Sequence, residues 1–115
     1  MRRLVFSVFL FVSAFLFVSC SNEGISDGVD FYWKQTGCAD PWGTNSNDSN
    51  KETEKALKEY LKLEGISEVN VKEFKNVESD AQLCEACHCL NGVRIIVEVS
   101  QKDSAKMEEL EFLRL

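Results

Sequence analysis

Four cysteines limit how this chain can fold: Cys38 stands alone, and three more are crowded into Cys84-Glu85-Ala86-Cys87-His88-Cys89. At 115 residues the chain has room for one domain. A domain of this size buries only about 60 to 65% of the surface its unfolded chain exposes, so crosslinks add to a thin margin of stability. Three pairings are open, and each joins Cys38 to one member of the cluster. Cys87 with Cys89 would close the tightest ring and ranks last; the other two pairings stay open. By loop entropy, the long bridge contributes on the order of 4 kcal/mol.

The start of the chain bears on the redox question. Met1-Arg2-Arg3 precedes an apolar run from Leu4 to Val18, broken only by Ser7 and Ser13. A charged start, an apolar stretch and a small residue before a cleavage point form the secretory pattern. The run is shorter than the about 20 residues that cross a hydrocarbon core as a helix. Phe17-Val18-Ser19-Cys20 resembles the lipobox of bacterial lipoproteins. That resemblance implies removal of residues 1–19 as a signal peptide and lipidation of Cys20, which becomes the new N-terminus. Each buried methylene of an acyl chain contributes about 0.8 kcal/mol, so several chains on one cysteine would hold the protein at a bilayer. Ser21 is compatible with passage to the outer membrane, and the address implied is the cell envelope. An oxidising compartment favours two disulfides among Cys38, Cys84, Cys87 and Cys89.

Residues 20–28 then read as the lipidated N-terminus and a flexible tether, with the domain over 29–115. Val29, Phe31 and Trp33 alternate with polar positions, which is the pattern of a half-buried strand. Gly37 to Asn50 is a loop rich in Gly, Asn, Asp and Ser around the single proline, Pro41. Ser49 and Glu52 have capping-box spacing, and a helix is predicted over Asn50 to Glu64 with Thr53, Leu57, Tyr60 and Leu61 inward. Gly65 supplies a left-handed stop that brings Ile66 to Leu61. Val69 to Val77 is a second strand in which Phe74 is out of phase, so a bulge is predicted near Glu73. Val93 to Ser100 is the third strand. Asp103 or Ser104 would cap a last helix with a stripe of Met107, Leu110 and Leu113.

The expected fold is α+β: a three-stranded antiparallel sheet with two helices on one face, in the order βαββα, with the third strand between the first two. This is a truncated ferredoxin-like layer, stapled by disulfides. The first two strands run the same way, so Cys38 and the cluster leave the sheet at one end. Cys38-Ala39-Asp40-Pro41-Trp42-Gly43, taken with the C-x2-C-x-C-x2-G of Cys84 to Gly92, resembles small cysteine-containing envelope lipoproteins of Gram-negative bacteria. The resemblance carries no activity with it.

Charge and chemistry narrow the function. Loss of Arg2 and Arg3 leaves 11 Lys and Arg against 19 Asp and Glu, a formal charge of about −8. That argues against a nucleic-acid partner, which needs a basic face, and against electrostatic docking of the folded body onto anionic lipid. Four thiolates would instead suit zinc or Cu(I), with His88 as a further donor, and Cys84-Glu85-Ala86-Cys87 has the form of a redox C-x-x-C. His88 is the sole histidine, no glycine-rich phosphate loop is present, and the carboxylates are scattered along wet faces. The expectation is therefore no catalytic residue, no cofactor and no metal. The partners expected are a membrane through the lipid and an envelope protein, with Trp42 a candidate contact.

Overall fold

The computed structural model describes residues 25–43 and 49–115. Cys20, the expected signal peptide at 1–19 and the first residues of the expected tether lie outside them. The elements are β1 (Gly28–Thr36), α1 (Asn50–Leu63), β2 (Val69–Asn76), β3 (Leu90–Ser100), α2 (Ser104–Glu109) and β4 (Leu113–Arg114). They form an α+β layer whose antiparallel sheet has four strands in the order β2-β3-β1-β4. β3 lies between β1 and β2, as the sequence pattern predicts.

Alternation decides which face of the sheet is dry. In β1 and β3, Val29, Phe31 and Trp33 stand opposite Val99, Val97 and Ile95. On β2, Val69, Val71 and Phe74 face the same three β3 residues. These side chains meet Leu57, Leu61 and Ile66 from α1 and its end, and Met107 and Phe112 from α2 and beyond, in one apolar cluster. The predicted bulge falls between Val71 and Glu73, where the β2 register shifts and returns Phe74 to the dry face.

Local signals fix α1. Ser49 Oγ accepts the Glu52 amide at 3.2 Å, and Glu54 pairs with Lys58 one turn on at 2.9 Å. At the other end Gly65 has φ +96°, which a side chain would resist. The Gly65 amide donates to Lys62 O at 3.0 Å and the Ile66 amide to Leu61 O at 2.9 Å, completing a Schellman stop. The stop turns Ile66 back into the core.

The expectation of three strands is corrected at the C-terminus. α2 ends early because Glu111 takes φ +72°. The Glu111 amide donates to Glu108 O at 2.9 Å and the Phe112 amide to Met107 O at 3.0 Å, a second Schellman stop with glutamate where glycine is usual. Phe112 therefore fills the core in place of Leu113, and Leu113–Arg114 pair with Tyr32 and Phe31 as β4. A strand of two residues has no periodicity to read. The start of α2 also differs: Asp103 makes no side-chain capping bond, and Ser104 Oγ is buried with no hydrogen-bond partner. β1 begins at Gly28, just ahead of the expected boundary, after a turn in which Gly28 N donates to Ile25 O at 3.1 Å.

The other face of the sheet is electrostatic. Asp30 stands opposite Glu98, and Lys34 opposite Arg94, two like-charged cross-strand pairs that repel unless neutralised. Each receives an opposite charge from another element. Lys72 of β2 reaches Asp30 at 3.1 Å. Asp80, in a 3-10 turn at Glu78–Asp80, accepts from Arg94 Nε at 2.7 Å and Nη2 at 3.1 Å and lies 3.9 Å from Lys34 Nζ. The Arg94 guanidinium also sits 4.7 Å from the centre of the Tyr32 ring.

The hydrogen bonds from Arg94 hold the Asp80 carboxyl below the usual carboxylate range, with burial opposing them and the charges of Arg94 and Lys34 assisting. A folded-state value below the unfolded one stabilises the fold above the unfolded value, and the gain is lost as pH falls through the folded value. Asp80→Asn should therefore be less stable than the wild type at pH 7, with the gap closing as pH falls below about 4. Denaturant titrations of both proteins between pH 7 and 2 check this, and a gap independent of pH would contradict it.

Candidate functional site

The site is the end of the sheet where β1 stops and β3 begins. β1 runs past Thr36 into Gly37 and Cys38, alongside the segment that leads into β3. Gly37 N donates to Cys89 O at 3.0 Å and Cys38 N to Cys87 O at 3.1 Å. The side chains cross the same gap: Cys38 is bonded to Cys87 with Cα atoms 4.5 Å apart, and Cys84 to Cys89 with Cα atoms 6.1 Å apart. The structure thus selects one of the two favoured pairings and unites all four predicted cysteines.

The backbone decides the choice. Cys38 hydrogen-bonds to Cys87 rather than to Cys84 or Cys89, so its short side chain meets the sulfur directly across the ladder. Of the four bridged cysteines Cys89 is the buried one, and the loop folds back to bring Cys84 over it. Cys84 N donates to Gln82 O, and Cys89 N to Ala86 O, both at 3.0 Å.

Two polar side chains hold the base of this end, and the sequence reading missed both roles. Asp40 is buried, and its Oδ1 accepts from Trp33 Nε1 at 2.9 Å, Thr36 N at 3.1 Å and Thr36 Oγ1 at 2.9 Å. Asp40 also starts a turn, since Gly43 N donates to its carbonyl at 3.2 Å. Gln82 brackets the cluster: its amide donates to Leu90 O at 3.0 Å, and its Oε1 accepts the Leu90 amide at 2.8 Å. A signal for Asp40 existed in the Thr36 and Trp33 donors just upstream. Gln82 and Leu90 are too far apart in sequence for a local motif.

Trp42 covers the sheet end as an aromatic lid. Its ring lies 5.4 Å from that of Trp33, edge-on, and 6.1 Å from that of Tyr60. It is half-buried, so part of it remains open to a partner. Residues 81–88, His88 included, are all exposed. Leu83 at the tip touches nothing that shields it from water.

This geometry limits the chemistry. With both bridges closed, the four cysteines offer no thiolate to a metal. Among the described residues, no group of three or more His, Cys, Asp or Glu could hold a metal ion. The C-x-x-C pair is not a pair here, because Cys84 and Cys87 bond to different partners. A shallow groove of about 260 Å³ runs beside β1 between Trp33, Lys34, Thr36, Leu90 and Glu111. No helix among the described residues is long and apolar enough to cross a membrane. Comparisons with protein-family models, with curated proteins and with solved structures gave no match to this chain.

Proposed function

We propose that this chain is a bacterial cell-envelope lipoprotein, anchored through lipid on Cys20, whose domain has a structural or protein-interaction role and no catalytic one. The observation that carries the reading is the complete pairing of Cys38, Cys84, Cys87 and Cys89 in so small a domain. Such a domain belongs in an oxidising compartment, where disulfides offset a thin core. Residues 1–20 supply the matching address: Arg2-Arg3, the apolar run and Ser19 ahead of Cys20. The strand order β2-β3-β1-β4, with helices after β1 and β3, supports the ferredoxin-like reading of the layer, which names no activity by itself.

Anchorage is tested on the full chain in a Gram-negative host. The wild type should sediment with membranes and carry acyl mass on an N-terminal peptide beginning at Cys20. Cys20→Ala should appear in the soluble envelope fraction with no acyl mass. A cut Cys20→Ala protein that stays on membranes would refute lipidation as the anchor.

A further inference from the structure

The two bridges differ in what they hold. Cys38–Cys87 spans a sequence separation of 49 and joins backbones already hydrogen-bonded to each other. Cys84–Cys89 spans a separation of 5 and braces a loop in which every residue from Ala81 to His88 is exposed. That loop adds nothing to the apolar cluster. Its base is secured by other means: Gln82 on Leu90, and Asp80 on Arg94.

The two sulfurs of the short bridge also stand in different surroundings. Cys84 is exposed, whereas Cys89 is 5% exposed. A thiolate approaching from solvent therefore reaches the Cys84 sulfur and is shielded from that of Cys89. Exposure alone does not separate the bridges, since Cys87 is exposed and Cys38 half-buried. What separates them is the backbone ladder, in which Cys38 N donates to Cys87 O and Gly37 N to Cys89 O and holds the long bridge's partners together.

We infer that Cys84–Cys89 is a thiol-exchange site, attacked at the Cys84 sulfur by an external thiol or dithiol, which opens the loop tip while Cys38–Cys87 keeps the fold closed. In the first step the incoming thiolate bonds to Cys84 Sγ, and the Cys84–Cys89 bond breaks. Cys89 leaves as a thiolate and takes a proton from water. A dithiol then completes the reduction: its second thiolate attacks its own sulfur in the mixed disulfide, releases Cys84 as a thiol and closes as the reductant's own disulfide. Cys38–Cys87 resists because its partners stay in register across the Gly37 and Cys38 hydrogen bonds, so an opened pair meets again at once. The segment between Gln82 and Cys87, which carries Leu83 and Glu85, is the part set free. None of this depends on the lipid at Cys20.

The test uses the oxidised domain from Ser21 onward, exposed under native conditions to reduced glutathione or to dithiothreitol and quenched with iodoacetamide. Peptide mass mapping should find glutathione on Cys84 and the carbamidomethyl group on Cys89. With dithiothreitol, Cys84–Cys89 should open at least about 10-fold faster than Cys38–Cys87. Near-ultraviolet circular dichroism from Trp33 and Trp42 should persist in that two-thiol intermediate. Glutathione on Cys89, Cys38 or Cys87, simultaneous opening of both bridges, or loss of the tryptophan signal on opening the short one would each overturn the inference. A Cys84→Ser, Cys89→Ser double variant that keeps the wild-type spectrum separates opening of the loop from unfolding, and a variant that loses the spectrum overturns the claim.

Discussion

Replacing Cys38 and Cys87 together with alanine is expected to lower the free energy of unfolding by about 4 kcal/mol. The bridge joins positions 49 apart, so its loss frees a long loop in the unfolded ensemble and raises the entropy that folding must overcome. Removing both partners avoids a stray thiol that could attack Cys84–Cys89. Native domains are stable by only about 5 to 15 kcal/mol, and a small one sits toward the lower end, so the variant should be close to its folding midpoint at 37 °C. The matching Cys84→Ala, Cys89→Ala variant should lose only about 2 kcal/mol, because its loop is short. Guanidinium titrations of the two variants against the wild type check the order. Equal losses would mean that the long bridge does not constrain the chain as its span requires.

Phe31→Ala should cost a similar amount, about 3 to 5 kcal/mol, by a different route. Phe31 is fully buried and lies opposite Val97, at the centre of the sheet and beneath both helices. Removing its ring strips apolar contacts from β3 and the helices and leaves a cavity that a sheet paired on both sides of β1 cannot close. The Arg114 guanidinium, 5.2 Å from the ring centre, would lose its aromatic partner at the β4 edge. Leu63→Ala is the control. Leu63 is exposed on the wet side of α1, so its truncation should change stability by no more than about 0.5 kcal/mol. Thermal melts of both variants give the comparison, and a loss below about 1 kcal/mol for Phe31→Ala would contradict the packing described.

Most of the fold was legible because its signals are local. Alternation in Val29–Trp33 and Val93–Val99 marks the two central strands, and the phase slip at Phe74 marks the bulge. Ser49 and Gly65 carry the start and stop of α1 in their own chemistry. β4 was not legible, because the left-handed turn falls on Glu111, a residue that gives no warning of it. The expected helical stripe therefore ran on to Leu113, where the chain in fact delivers Phe112 to the core.

The candidate site was legible as a set of cysteines and illegible as a pairing. Sequence order brings Cys38 and the cluster to one end of the sheet, since β1 and β2 run the same way about β3. Which sulfurs bond depends on the ladder register that sets Cys38 against Cys87. That register follows from the whole β1–β3 match, including the irregularity between Lys34 and Thr36.

The sequence by itself determined the acidic charge, the even set of four cysteines besides Cys20, the faces of β1, β3 and α1, and both ends of α1. These are properties of composition, periodicity and capping, each readable within a few residues. Tertiary structure alone decided the disulfide partners, the three donors on Asp40, the bridging of Lys34 and Arg94 by Asp80, and the entry of Phe112 into the core. Each of these joins groups whose proximity is created by strand register or by a turn. Their energies depend on distances of a few ångströms, which the order of residues along a chain does not contain.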